Sequence, residues 1–316
     1  MPTILELPIK KSFQDYSESI ARMVSKLEDS KEILSIYQIG GVSSPGISDI
    51  DMVVVFKNNS KYLTNPIDNI SNDDRYLFIH QLYGCSEESI NLIEKFSFFH
   101  NYKLLSGKQL FNVVGENSSE QKALKKQIAL EYLFKMYVNA SLQKAYNILK
   151  VRSLLLHVKA LKYDLEFLEI TNGPLYEKVN ELMNIREEWF TSNQSVSKIT
   201  SWFPTFYQAL EEFLKEQTDG FYLEKNAERN LAKNITLNHG SIAWKREGFL
   251  FPKVLMNEKH YFKLLNKFNK FNFNYPYKID CKEPIILNYL SFRKSHSQDN
   301  NCSFPYFFPL LSSLKA

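Results

Sequence analysis

Near the N-terminus the spacing of apolar residues changes from a helical to a strand-like period. Between Phe13 and Leu34 the apolar positions Ile20, Met23, Val24, Leu27 and Ile33 recur at mostly helical spacing among charged neighbours. That pattern predicts an amphipathic helix. The run ILSIYQIG (33–40) lacks it and ends in glycine, which predicts a buried strand. After a short polar turn, DIDMVVVF (49–56) predicts a second strand, its β-branched residues suited to a pleated core. KNNSKYLTNPIDNISNDDR (57–75) is polar and turn-rich, a loop or short irregular excursion. YLFIHQLYG (76–84) predicts a third strand, CSEESINLIEKF a helix capped by Ser86, and YKLLSG (102–107) one more short strand closed by Gly107.

From about Ser118 to Lys215 the period is helical. The stretch from Ser118 to Ile170 has no Pro or Gly and carries a recurring apolar stripe, and LYEKVNELMNIREEWF continues it after the NGP break at 172–174. This predicts a bundle of three to five helices. Beyond Asp219, NITLNHGSIAWKREGFLFP reads as a hairpin pair around Gly240 and Gly248, and the tail has no assignable pattern. There is no internal repeat and no heptad. The predicted class is α+β: a small mixed sheet with flanking helices over 1–115, a helical domain over 116–218 and a small α+β segment over 219–316.

Composition narrows the picture only modestly. A chain of 316 residues has room for two domains and a substantial core. Its aromatic share of 14% is carried by Phe and Tyr, residues that mostly pack. A net charge of +4 falls short of the dense Lys/Arg blocks of a dedicated nucleic-acid binder, while remaining compatible with an anionic ligand. Cys85, Cys281 and Cys302 are odd in number and far apart, so they read as free thiols in a reducing compartment. No leader pattern opens the sequence and no apolar run is long enough to span a membrane, so the expected location is cytoplasmic and no membrane partner is expected.

The candidate chemistry lies in IGGVSSPGISDIDMVVVF (39–56). Side chains alternate along a strand, so Asp49 and Asp51 project to one face, about 7 Å apart at a rise of about 3.3 Å per residue. Such a pair can straddle one divalent ion or hold two. Aspartate at a strand start also serves as turn chemistry, so the pair does not decide the matter alone. The preceding segment adds to it: Gly40 and Gly41 end a strand, and Ser43, Ser44, Pro45 and Gly46 lead back toward the carboxylates. Glycines let backbone N–H groups approach an anion and serine hydroxyls add donors, which makes a cradle for a triphosphate. Mg²⁺ would then be shared between carboxylate and phosphate oxygens.

With an apolar strand, a glycine pair, a short spacer and Asp-x-Asp entering a second apolar strand, IYQIGGVSSPGISDIDMVVVF resembles the nucleotidyltransferase superfamily of DNA polymerase β type. The resemblance covers roughly residues 13 to 114 in order of elements, and its specific motif about twenty residues. It implies a nucleotidyltransferase-like sheet over 1–115 and a helical domain that closes over the nucleotide. It also implies phosphate contacts from Gly40, Gly41 and Ser43, with Ser44 an alternative for the serine, and two Mg²⁺ ions on Asp49 and Asp51. The implied reaction is attack of an acceptor hydroxyl or phosphate on the α-phosphate of a nucleoside triphosphate, with release of pyrophosphate.

Two departures from the family pattern matter. Glycine and Val42 stand before Ser43 where the family usually has serine directly, and the spacer to Asp49 is short. Many members also carry a third carboxylate on the next strand, whereas YLFIHQLYG carries His80 and Gln81. Asp73 and Asp74 flank its start, and Glu87 and Glu88 follow its end. A displaced acid could complete the set, or His80 could act as a base; His80 could equally be a packed or hydrogen-bonding residue.

Arg152, Lys159 and Lys162 on a predicted helix could meet nucleotide phosphates or form a solvated face, and His157 reads as structural. The basic and aromatic residues of KREGFLFPK and FKLLNKFNKFNFNYPYK could stack on a single strand, but nucleic acid is the less favoured partner. No HExxH, Gly-x-Ser-x-Gly or P-loop is present. The sequence thus predicts a Mg²⁺-dependent nucleotidyltransferase. Its competitors are a weak or inactive relative that binds nucleotide or a partner protein, and a template-independent RNA-modifying enzyme.

Overall fold

The computed structural model describes residues 1–58, 60, 66–80, 82–91, 94, 101–112, 119–191 and 195–217. It also describes the short pieces 221–222, 237–238, 241–242, 285–286, 288–289 and 312–313. The chain divides into two compact units: one spans Pro8–Asn117 with the C-terminal piece, and the other joins Met1–Leu7 to the residues from Ser118 on. Both are mixed in character, with helices and sheet and, among the described residues, no barrel.

Strand β1 (Thr3–Leu5) belongs to the second unit. The first unit begins with α1 (Phe13–Glu28), whose start is fixed by a capping box. Ser12 Oγ accepts from the Asp15 N–H at 3.2 Å, and the Asp15 carboxylate accepts from the Ser12 N–H at 2.6 Å. The helix ends at Glu28, short of the Leu34 that its apolar spacing reached, and Ile33 opens β2 (Ile33–Ile39) as the strand pattern from 33 predicts, pairing with Phe56.

Strand β3 (Asp51–Phe56) runs antiparallel to β2, with Ile39 opposite Asp51. Helix α2 (Asn72–Leu77) precedes β4 (Tyr83–Ser86), which pairs parallel to β3, and β5 (Tyr102–Gly107) pairs antiparallel on the far side of β2. The two-residue piece 312–313 pairs with the free edge of β4. Ile50, Met52, Val54 and Phe56 turn one face toward Tyr16, Met23 and Leu27 of α1, with Phe78 and Leu82 in the same core. Each fully buried side chain of this kind contributes about 1.5–3 kcal/mol. On the opposite face Tyr37 packs edge-on against Phe111 at 5.0 Å between ring centroids.

The predicted strand at 76–84 is not formed. Tyr76 and Leu77 end α2, which Ser71 caps by accepting from the Asp74 N–H at 3.0 Å, and the strand begins only at Tyr83. The apolar run is real, but it is shared between a helix end, a turn and a strand start that all feed one core. Cys85 and Ser86 likewise sit in β4, and the Ser86 side chain does not cap the 3₁₀ turn Glu87–Ser89 that follows. Burial pushes the Cys85 thiol up to about 12, so it is an inert core residue. Cys281 and Cys302 lie outside the described residues.

The second unit contains α3 (Ser119–Tyr146), β6 (Ile148–Lys150), α4 (Val151–Phe167), α5 (Pro174–Glu187) and α6 (Ser195–Gln217). Among the described residues between 119 and 217 there are four helices, against the three to five expected there. Asn147, at φ +53°, ends α3 and lets β6 pair parallel with β1. Lys150 Nζ reaches Glu6 at 2.7 Å and the Arg152 N–H donates to the Glu6 carbonyl at 2.9 Å, which ties the first residues to this unit. The strand pieces β7 (Phe221–Tyr222), β8 (Leu237–Asn238) and β9 (Ser241–Ile242) form a small antiparallel sheet, with β8 and β9 flanking Gly240 as a hairpin there requires. Gly248 and the rest of that prediction lie outside the described residues. No helix among the described residues is long and apolar enough to cross a membrane.

On α4, Asp164 is fully buried and neither carboxylate oxygen has a hydrogen-bond partner among the described residues. Burial therefore holds its carboxyl well above the usual carboxylate range. The folded chain keeps this proton at pH values where the unfolded chain has lost it. Its contribution to stability is thus complete below about pH 4 and declines as pH rises toward the folded value. Asp164→Asn is expected to flatten this part of the stability-pH curve, as read by denaturant unfolding between pH 4 and 8; an unchanged slope would contradict it.

Candidate functional site

The second half of the segment between β2 and β3, from Ser44 to Ile50, is held by a set of hydrogen bonds. The Ile47 and Ser48 N–H groups donate to the Ser44 carbonyl at 3.0 and 2.9 Å. The Ser44 N–H donates to Ser48 Oγ at 3.2 Å. From α1, the buried Tyr16 hydroxyl donates to the Ser48 carbonyl at 2.6 Å and accepts from the Gly46 N–H at 3.0 Å. From α2, the Tyr76 hydroxyl donates to the Gly46 carbonyl. The Ile50 N–H donates to the Leu77 carbonyl at 3.0 Å.

Ser48, Ile50 and Met52 are buried in alternation, so Asp49 and Asp51 turn together to the other face. Only Asp51 belongs to β3, while Asp49 is held by the turn before it. Their side chains are 14% and 32% exposed, open enough for a ligand and too enclosed for full hydration.

The third group facing the pair is His80, from the connection between α2 and β4. Its Nε2 lies 2.7 Å from Asp51 Oδ1 and 3.6 Å from Asp49 Oδ2. One ligand atom from each of the three residues can be chosen so that all lie within 4.8 Å of one another. Phe78 and Leu82, both buried, anchor the chain on either side of His80. The Tyr83 hydroxyl is 3.2 Å from the same Nε2, with the two rings 4.9 Å apart.

Burial of the imidazole opposes its protonation, but the charges and hydrogen bonds of Asp51 and Asp49 outweigh it and raise His80 well above its ordinary value. Burial and the Asp49 charge push Asp51 up, against the pull of His80. Two acids and an imidazole that share protons in this way are a donor set suited to a divalent cation.

The predicted cradle residues occupy the same end of the sheet. Gly40, at φ +69°, follows Ile39 on the strand next to the aspartates and takes a conformation that other residues rarely adopt. Gly41 is exposed, its φ lies outside the left-handed region, and an added Cβ there would meet nothing within 4 Å. Neither local packing nor backbone conformation requires glycine at 41. Ser43 is exposed and Ser44 half-buried.

The other acids weighed from sequence are engaged elsewhere. Asp74 is buried against α1, where it accepts from Arg22 at 2.7 Å and Ser19 at 2.6 Å. Burial pushes its carboxyl up, but hydrogen bonds from Arg22, Ser19 and Ser71 hold it below the usual range. Asp73 pairs with Lys11 at 2.6 Å, and Glu87 and Glu88 lie in the turn after β4.

Arg152 is buried in α4, Lys159 is half-buried and Lys162 exposed on the same helix, and His157 Nδ1 lies 2.6 Å from the Ser153 carbonyl. Gln81, KREGFLFPK and FKLLNKFNKFNFNYPYK lie outside the described residues. Comparisons with protein-family models, with curated proteins and with solved structures give no match for this chain.

Proposed function

We propose that the protein is a metal-dependent nucleotidyltransferase, with the site of Asp49, Asp51 and His80 at its centre. The observation that carries this reading is the convergence of both carboxylates on one open face, beside a glycine-bearing turn in which an added Cβ at Gly41 would meet nothing within 4 Å. Asp49 and Asp51 would hold the dication, which the sequence resemblance implies is Mg²⁺ accompanied by a second ion. A bound dication supplies charge stabilisation at the α-phosphate. The backbone of Gly40 and Gly41 and the hydroxyls of Ser43 and Ser44 meet the phosphates. The acceptor oxygen forms a bond to the α-phosphorus as the α–β bridging P–O bond breaks. Pyrophosphate departs, and the acceptor's proton passes to water.

A second reading is supported by one specific feature: an imidazole, and not a third carboxylate, completes the set. In that reading the protein binds nucleotide without turning it over. Four nucleoside triphosphates with Mg²⁺, followed by thermal stabilisation and pyrophosphate release, separate the two. Stabilisation with release supports transfer, stabilisation alone selects the binder, and neither contradicts both.

Gly41→Val tests the cradle. A β-branched side chain here is expected to leave stability within about 0.5 kcal/mol while weakening triphosphate binding by about tenfold, the scale of one lost charge-assisted hydrogen bond. Binding of a bare metal ion should be unchanged. Equal loss of both ligands, measured by titration calorimetry, would show that Gly41 supports the turn and not the phosphates.

A further inference from the structure

We infer that the ion held jointly by Asp49, Asp51 and His80 is a borderline first-row transition dication such as Zn²⁺, Co²⁺ or Fe²⁺, selected over Mg²⁺ by the imidazole. This deepens the proposed function and rests on its metal site alone, not on nucleotidyl transfer.

Mg²⁺ is a hard ion that takes oxygen ligands and gives up its waters reluctantly, whereas imidazole nitrogen suits the later transition ions. Two carboxylates alone make a site for a hard cation, and a third would keep it so. Here the third position is held by a nitrogen, and it is the same Nε2 that faces both acids, at 2.7 and 3.6 Å.

Ligand atoms sharing one such ion stand about 3.0–3.4 Å apart, given bonds of about 2.0–2.1 Å. The separations of His80 Nε2 from the two carboxylates bracket that range, and one ligand atom from each of the three residues lies within 4.8 Å of the others. The ring is placed by buried anchors, Phe78 and Leu82, at positions 78 and 82. A lysine or arginine in this place would neutralise the acids but could not complete such a ligand set; a histidine does both.

A consequence is that the site offers two different environments. Carboxylate oxygens not taken by that ion, together with triphosphate oxygens, would give an all-oxygen set that suits a nucleotide-borne Mg²⁺. The side toward His80 suits the softer ion. The softer ion should therefore bind without nucleotide.

The test uses the full chain, stripped with a chelator and titrated with Co²⁺ and separately with Mg²⁺ in the absence of nucleotide. Wild type is expected to bind Co²⁺ with visible d–d absorption and to show hyperfine-shifted ring protons from one of its six histidines. His80→Asp is expected to reduce the Co²⁺ to Mg²⁺ affinity ratio by at least about tenfold, the step expected when a nitrogen donor gives way to oxygen. His80→Asn, which adds no charge, should abolish the shifted ring signals and serves if the aspartate variant folds poorly.

An unchanged ratio in His80→Asp, or Co²⁺ binding with no shifted histidine signal, overturns the inference and leaves the carboxylate site standing. Absence of Co²⁺ binding also overturns it. In that case Mg²⁺-dependent nucleotide binding, measured on the same sample, tells whether the proposed function survives.

Discussion

Asp49→Asn and Asp51→Asn are each expected to lower metal-dependent nucleotide binding by at least about a hundredfold, close to 2.7 kcal/mol at 1.36 kcal/mol per tenfold. An amide oxygen is neutral and competes poorly for a dication, so each change removes one of the two anionic ligands. Folding should respond far less. Burial and the neighbouring Asp49 push Asp51 up, so neutralising either acid relieves that opposition, but it also removes an anionic partner of His80, whose Nε2 lies 2.7 Å from Asp51 and 3.6 Å from Asp49. The two effects oppose each other, and thermal denaturation in chelator is expected to show a change of no more than about 1 kcal/mol. Loss of binding together with nearly unchanged stability is the mark of residues kept for a ligand. Variants that bind nucleotide and metal normally would remove the site from the account.

The second large effect is expected at Gly107→Ala, and it concerns stability. Gly107 ends β5 at φ +88°, and an added Cβ would lie 2.1 Å from the Leu34 carbonyl oxygen and 2.8 Å from Ser35 Cα. Both contacts are backbone atoms of β2 or its border, so no side chain can turn aside. The positive φ costs roughly 1–2 kcal/mol for any L residue. The overlap adds a further penalty of about 1–3 kcal/mol, the scale of overpacking. A total loss near 3 kcal/mol or more should appear as a lower denaturation midpoint. The same substitution at Gly41, which meets nothing within 4 Å, is the matched control and should be close to neutral. Equal effects at the two glycines would contradict the register assigned to β2 and β5.

The parts of the fold legible in the sequence are those with an unambiguous period. The β-branched run of β3, the strand ILSIYQI before it, and the helical stripe after Ser118 all appear where the pattern places them. The alternation that puts Asp49 and Asp51 on one face was also legible, although the turn and not the strand holds Asp49. YLFIHQLYG reads as one strand because consecutive apolar residues at a helix end, a turn and a strand start can serve one core without sharing one period. The difference matters for the site. The sequence offers His80 as a candidate but not its position, which is on the connection between α2 and β4, beside the aspartates through the parallel pairing of β4 with β3. Parallel pairing joins residues distant in sequence and leaves no local signal. The three-residue pairing of β1 with β6 was hidden for the same reason.

In the proposed function the two aspartates and a triphosphate share a dication. Linkage makes this directly measurable: if they do, nucleotide must raise metal affinity by the same factor by which metal raises nucleotide affinity. Titration calorimetry of a nucleoside triphosphate, with Mg²⁺ and again in chelator, is the most direct test. The account predicts binding at least about tenfold tighter with the ion, and loss of that gain in Asp51→Asn. Equal nucleotide affinity with and without the ion, or a gain that survives the substitution, would contradict it.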